Sequence, residues 1–272
     1  MSTSVVFTLN DRPKDVLTRV FASLKGANEY ACCFDRTPED LKEWVKAYWQ
    51  TRCQATGETF VYTEIEGEAG RRNPSAAFNA VYKLITGEYV FQLSSDVECA
   101  TDAVPRAIGI GSEVPCCVWG SVRDTGEFGP VTNSPTDPLN LVSSVNPRPL
   151  GFIVAFPAWV LRAGCAQDEA YMQGSCYEDD DWVYRLWRMG LPFVFDDSVS
   201  GQHIAHPRPE FETEEGQQAI AVNRAYTIQK HGNEHPWIAD RDNRREFRRE
   251  GRTVLVPTKF DGLQMAWRKL AQ

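Results

Sequence analysis

The first hundred residues alternate short apolar runs with helical patterns, and this alternation constrains the fold more than any other feature of the chain. SVVFTL at 4–9 ends at Asn10-Asp11-Arg12-Pro13, and DVLTRVFASL follows with Val16, Leu17, Val20, Phe21 and Leu24 on one helical face. A second strand over 30–34 ends at Asp35. Thr37-Pro38-Glu39-Asp40 then reads as an N-cap, a first-turn proline and first-turn acids opening the helix DLKEWVKAYW. A third strand over 59–63 leads into a Gly-rich acidic loop. Ser75 opens the helix AAFNAVYKLIT, closed by Gly87, and a fourth strand, EYVFQL, stops at Ser94-Ser95-Asp96-Val97-Glu98. Such alternation predicts an α/β fold with a mostly parallel central sheet flanked by helices. In these sheets ligands bind at the carboxyl ends of strands, and each strand here ends in polar residues. Residues 1–100 therefore read as a nucleotide-binding half. No G-x-G-x-x-G follows the first strand and no G-x-x-x-x-G-K-[ST] occurs, which argues against a dinucleotide enzyme and a P-loop NTPase.

Residues 120–150 are rich in Gly, Pro, Asn, Ser and Thr and read as a long loop, a candidate active-site flap. Beyond it lie the apolar stretch GFIVAFPAWVLRAG, the acids Glu178-Asp179-Asp180-Asp181, the helix WVYRLWRMG closed by Gly190, a strand LPFVF, and His203 and His206. Residues 101–215 thus form a second, catalytic half, and 216–272 a helical, basic extension. Within that extension, residues 241–272 carry nine basic side chains against four acidic ones. The tail is net +5 and leaves −13 for the rest of a chain whose total is −8. A basic tail is suited to an anionic surface, or to docking on the acidic body as a solvated helix.

The N-terminus lacks a basic region followed by an apolar stretch, and no apolar run reaches the ~18 residues of a membrane span, so the expected compartment is the cytoplasm. The eight cysteines include no C-x-x-C pair, which makes a zinc ribbon a poor fit; free thiols packed as small hydrophobes are expected.

Two acidic clusters and a histidine pair carry the chemistry. On an extended backbone Asp96 and Glu98 would lie on the same side, offering hard oxygen ligands for Mn²⁺ or Mg²⁺ at a diphosphate. The acids 178–181 precede a helix whose macrodipole stabilises negative charge, but a cap needs only one or two of them. The excess points to a cation or a proton-transfer task. His203-x-x-His206 can supply a metal ligand, although the lack of a third nearby histidine argues against an all-histidine zinc site.

In this order the pieces resemble a known family. SAAFNAVYKLITGEYVFQLSSDVE resembles the helix–strand–D-x-D segment of family-2 glycosyltransferases. GSCYEDDDWVYRLWRMG is similar to the glycine and E-D-D-D segment of β-1,4-galactosyltransferases and related GT-A enzymes. The resemblance implies a GT-A (Rossmann-like) catalytic domain over 1–215 and transfer from a nucleotide-sugar, UDP foremost, to an acceptor hydroxyl with inversion. It implies Thr8, Asn10, Asp11, Asp35, Asn79, Ser95 and Asp96 at the nucleotide-sugar, and a metal held by Asp96, Glu98 and His203 or His206. Asp179 becomes the general base, with Asp180 toward the acceptor, which can be a glycan, a lipid-linked or a nucleic-acid hydroxyl. One departure is that Ser94 replaces the first aspartate of D-x-D. Either Glu98 compensates, fewer carboxylates hold the metal, or the metal binds weakly. Two rivals keep part of this reading: a phage-type enzyme decorating a hydroxylated DNA base, and a non-catalytic nucleotide-sugar binder.

Overall fold

The computed structural model describes residues 1–66, 73–126, 139–206 and 209–259. The order begins β1 (Thr3–Leu9), α1 (Lys14–Ser23), β2 (Glu29–Asp35), α2 (Glu39–Thr56), β3 (Thr59–Ile65), α3 (Ser75–Tyr82) and β4 (Tyr89–Leu93). It continues with β5 (Val97–Cys99), α4 (Ala103–Glu113), β6 (Cys117–Asp124), β7 (Asn140–Val142), β8 (Ile153–Pro157), α5 (Trp159–Arg162), α6 (Glu178–Arg188) and β9 (Phe193–His203). Helices α7 (Pro209–Glu212), α8 (Glu214–His231) and α9 (Pro236–Ala239) precede a hairpin of β10 (Arg244–Arg249) and β11 (Arg252–Pro257).

One sheet runs β10-β11-β9-β6-β8-β4-β1-β2-β3, with β5 paired to β9 and β7 to β6. Along that path β3, β2, β1, β4, β6, β9 and β10 point one way, and only β8 and β11 the other. This is the mostly parallel, helix-flanked α/β architecture expected from the alternation. Its central strands read as continuous apolar runs because both faces are covered: every residue of β2 is buried, whereas no residue of edge strand β3 is fully buried. Helix α2 sets Leu41, Val45 and Trp49 at four-residue spacing, and Trp49 packs within 6 Å of the rings of Phe7, Phe21, Tyr30 and Phe60.

Several local expectations change. Thr37 does not cap α2; its hydroxyl donates to the Leu9 carbonyl at 2.7 Å and ties the ends of β1 and β2 together. The helix from Ser75 stops at Tyr82 rather than reaching Gly87. The acids 178–181 do not precede the helix but form its first turn. The 120–150 stretch is partly strand, since Val122 pairs with Val142 and Arg123 with Asn140; its polar composition is tolerated because the ladder uses backbone groups. The flap expected there falls largely on 127–138, outside the described residues. The extension also differs from a simple helix: after α8 it turns into the β10–β11 hairpin, and β11 joins β9 at the sheet. Buried Thr253, Val254, Leu255 and Val256 form a strand-favouring run that the surrounding arginines mask in the sequence. Of the basic tail, residues 260–272 lie outside the described residues. Among the described residues no helix is long and apolar enough to cross a membrane.

Candidate active site

The carboxyl ends of β1, β2 and β4, the end of β9 and the N-terminus of α6 open onto one cavity of about 870 Å³. Thr8, Asn10, Asp11, Asp35, Ser95, Asp96, Asp179, Asp180, His203 and His206 all line it. Two expected residues do not. Asn79 bonds Gln167 through both its amide nitrogen and its oxygen, at 2.9 Å each, and so braces the segment before α6. Glu98 pairs with Arg19 of α1, whose Nε donates to it at 3.0 Å. The reason is a turn: the Val97 amide bonds the Ser94 carbonyl at 3.1 Å, so Asp96 precedes β5 instead of lying within it. The two-residue alternation does not carry across.

Backbone pairing assembles the first cluster. β5 lies antiparallel to the end of β9 with Val97 opposite His203, and the Ile204 amide donates to the Asp96 carbonyl at 2.8 Å. One ligand atom each from Asp96, His203 and His206 then lies within 4.8 Å of the others. His206 Nε2 is 3.0 Å and His203 Nε2 3.9 Å from the Asp96 carboxylate. On the far side of the His203 ring, Nδ1 faces the buried Asp124 carboxylate at 3.6 Å. This outer carboxylate directs Nε2 toward Asp96. Burial pushes the Asp96 carboxyl upward in pKa. The His206 hydrogen bond, the Arg12 and His203 charges and the Ser94 hydroxyl outweigh it and hold the carboxyl well below the usual range.

The second cluster is the first turn of α6. Burial, reinforced by Asp179, pushes Glu178 up to about 8. Burial also pushes Asp179 up to about 6, against the hydrogen bond it accepts from the Gly151 amide at 3.1 Å. The macrodipole favours ionised Asp179, but desolvation of the carboxyl is the larger effect, since the dipole contributes at most about 2 kcal/mol even in partly buried geometries. Asp180 Oδ1 lies 3.5 Å from His235 Nδ1, and that contact raises the His235 pKa. Asp181 turns away from the cavity and is fully buried, bonded to Arg185 Nε at 2.8 Å, Lys230 Nζ at 2.6 Å and His231 Nε2 at 2.7 Å.

Sequence reasoning missed several cavity residues. Arg12, Arg36 and Arg148 bring positive charge, and Tyr177, Phe211, Ile220 and His235 form an apolar and aromatic wall. The His235 and Tyr177 rings stack with centroids 5.7 Å apart. Arg36 and Tyr177 have left-handed φ values of 55° and 68°, an uncommon backbone for non-glycine residues that clusters at functional sites. Arg12 and Arg36 were within reach, since both adjoin strand-end acids already singled out; nothing local marks His235.

No family model matches the sequence, and no curated protein sequence does either. Solved structures do match. S. aureus TarS 1-349 in complex with UDP-GlcNAc aligns over 84% of this chain and 67% of that chain, with a TM-score of 0.60 and 12% identity. The same protein with UDP aligns over 82% and 65%, with a TM-score of 0.53 and 15% identity. GalNAc-T7 with UDP, GalNAc and Mn²⁺ aligns over 89% of this chain and 51% of that chain, with a TM-score of 0.60 and 14% identity. The chain has the GT-A fold. At these identities the likeness is one of fold, and the chain spans 51–67% of the length of those three chains.

Proposed function

We propose that the chain is a metal-dependent glycosyltransferase that moves a sugar from a nucleotide-sugar, with UDP as the nucleotide, to an acceptor hydroxyl with inversion. The observation that carries this reading is the convergence of Asp96, His203 and His206 with Glu178, Asp179 and Asp180 on one cavity. UDP as the nucleotide is supported by the UDP and UDP-GlcNAc held in the structures of similar fold. The cytoplasm is the compartment in which we expect it to act.

One carboxylate and two imidazoles within 4.8 Å form a mixed donor set. Such a set suits a first-row divalent ion such as Mn²⁺ better than Mg²⁺, which prefers oxygen. Bound there, the ion would neutralise charge developing on the leaving diphosphate. Thr8, Asn10, Asp11, Asp35 and Ser95 hold the nucleoside and sugar on the strand-end side. Asp179, held by the Gly151 amide, accepts the proton of the acceptor hydroxyl as that oxygen attacks the anomeric carbon. A carboxylate raised to about 6 is a stronger base than an exposed one, yet still mainly ionised at neutral pH. Asp180, steadied by His235, orients the acceptor. A single base opposite the leaving group gives inversion.

The test is a panel of UDP-sugars on the purified chain, read by thermal shift with Mn²⁺ or EDTA and by UDP release. A cognate donor at a hundred times its Kd stabilises the fold by about 2.7 kcal/mol. If no UDP-sugar shifts melting and none is consumed, the reading fails. Binding without UDP release on any acceptor would leave a non-catalytic binder.

A further inference from the structure

Asp96 meets the cavity with little free surface: the residue is 4% exposed, and both carboxylate oxygens are engaged. Oδ1 accepts from the Ser94 hydroxyl at 2.6 Å, while Oδ2 accepts from Arg12 Nη2 at 2.7 Å and lies 3.0 Å from His206 Nε2. An ion seated between Asp96 Oδ2 and His206 Nε2 needs the same two atoms that the Arg12 contact and the His206–Asp96 hydrogen bond now use. A buried carboxylate requires a neighbouring cation, and Arg12 currently supplies it. The guanidinium is within reach of a cavity ligand, since 28% of the Arg12 side chain is exposed on the cavity wall. Among the described residues Asp96 is its ion-pair partner. It stands in the turn between β1 and α1, beside Asn10 and Asp11 at the nucleotide end of the cavity. Its planar fork of donors matches a phosphate in two-point contact.

We propose that Arg12 is a diphosphate-binding residue held in reserve on Asp96. When a divalent ion takes Asp96, the guanidinium is released and pairs with the diphosphate of the donor. The ion alone must displace Arg12 and leave it without an anion, so it binds weakly. The nucleoside diphosphate alone competes with Asp96 for the same guanidinium. Together each removes the other's penalty, and the coupling is reciprocal. Ser94 fits this arrangement: a second carboxylate there would keep Arg12 paired after the ion arrived, whereas a hydroxyl lets it go. The proposal rests on the metal reading of the Asp96 cluster.

The experiment is calorimetric titration of Mn²⁺ into the intact chain with and without saturating UDP, corrected for Mn²⁺–UDP association in free solution. Wild type, Arg12→Gln and Arg12→Lys are compared. In wild type, UDP should tighten Mn²⁺ binding by roughly 5–150-fold, the usual range for coupled sites. Arg12→Gln should bind Mn²⁺ alone more tightly than wild type, bind UDP more weakly, and lose most of the coupling. Arg12→Lys keeps the charge on Asp96 but lacks the fork, so it should retain weak binding of Mn²⁺ alone and lose part of the coupling. It carries the test if the glutamine variant does not fold. Unchanged Mn²⁺ affinity and coupling in the folded variants would overturn the exchange while leaving the metal site intact. If wild type binds no Mn²⁺ with or without UDP, the metal reading itself falls.

Discussion

The amide of Gly151 donates to Asp179 Oδ2 across 3.1 Å, and a Cβ at Gly151 would stand 2.7 Å from Oδ1 of the same carboxylate. Gly151→Ala should therefore push the carboxylate aside without disturbing the backbone around it, because what the methyl meets is the end of a side chain. A misplacement of about 1 Å can cost on the order of 100-fold in rate. We expect transfer to fall by about that factor while the melting temperature moves little. Steady-state kinetics beside a melting curve checks this, and undiminished turnover would mean that Asp179 has room to spare.

Asp179→Asn keeps the shape and the Gly151 contact but cannot take a proton, so transfer should drop by roughly 10²–10⁴-fold with UDP affinity unchanged. A base raised to about 6 must lose its proton before it works. In wild type, log kcat/KM should therefore climb with pH through that value and level above it. A rate independent of pH between 5 and 7 would move the role to Asp180.

Stability should carry the opposite slope. Glu178 is raised from 4.5 to about 8, so between these values the unfolded chain gives up a proton that the folded chain keeps. Its contribution is fully present below 4.5 and is lost as pH rises through 8. Glu178→Gln should flatten this decline, so that the variant loses less of its melting temperature than wild type between pH 5 and pH 8.5. Parallel curves for the two proteins would show that Glu178 is ionised in the fold.

Asp124 faces the candidate metal cluster through His203, its carboxylate 3.6 Å from Nδ1. Removing such an outer carboxylate typically costs 10–100-fold in metal affinity. Asp124→Asn should weaken Mn²⁺ binding within that range while Mn²⁺-free UDP binding persists, a separation that titration of each ligand can measure.

Much of this site could be read from strand ends. β1, β2 and β4 finish in Asn10–Asp11, Asp35 and Ser94–Asp96, and a parallel sheet necessarily gathers those termini on one edge. The histidines were legible for the same reason, since His203 closes β9. What escaped depends on single turns and distant segments. Glu98 left the cluster because one backbone bond, from Val97 to Ser94, interrupts the alternation. Asn79 left it because α3 presents that residue to the Gln167 segment, a contact 88 residues away in sequence. His235 reaches Asp180 because the end of α8 and α9 return to α6, a contact distant in sequence, and the apolar run of β11 stands among arginines whose charge reads as solvent-facing.

The burial of Asp181 reaches beyond stability. Two of its three partners, Lys230 and His231, lie in α8, so the helix that presents Glu178, Asp179 and Asp180 draws part of the support for its buried acid from downstream sequence. Exchange of acceptor-side segments between relatives, by recombination or in the laboratory, cannot treat residue 215 as a free joint. A transplanted C-terminal segment that lacks a lysine–histidine pair at this place would leave the buried Asp181 with Arg185 of its own helix and without the two partners that close over its other oxygen. The lineage is then free to vary what α8 shows to the outside, while the inner face of that helix is inherited together with the site.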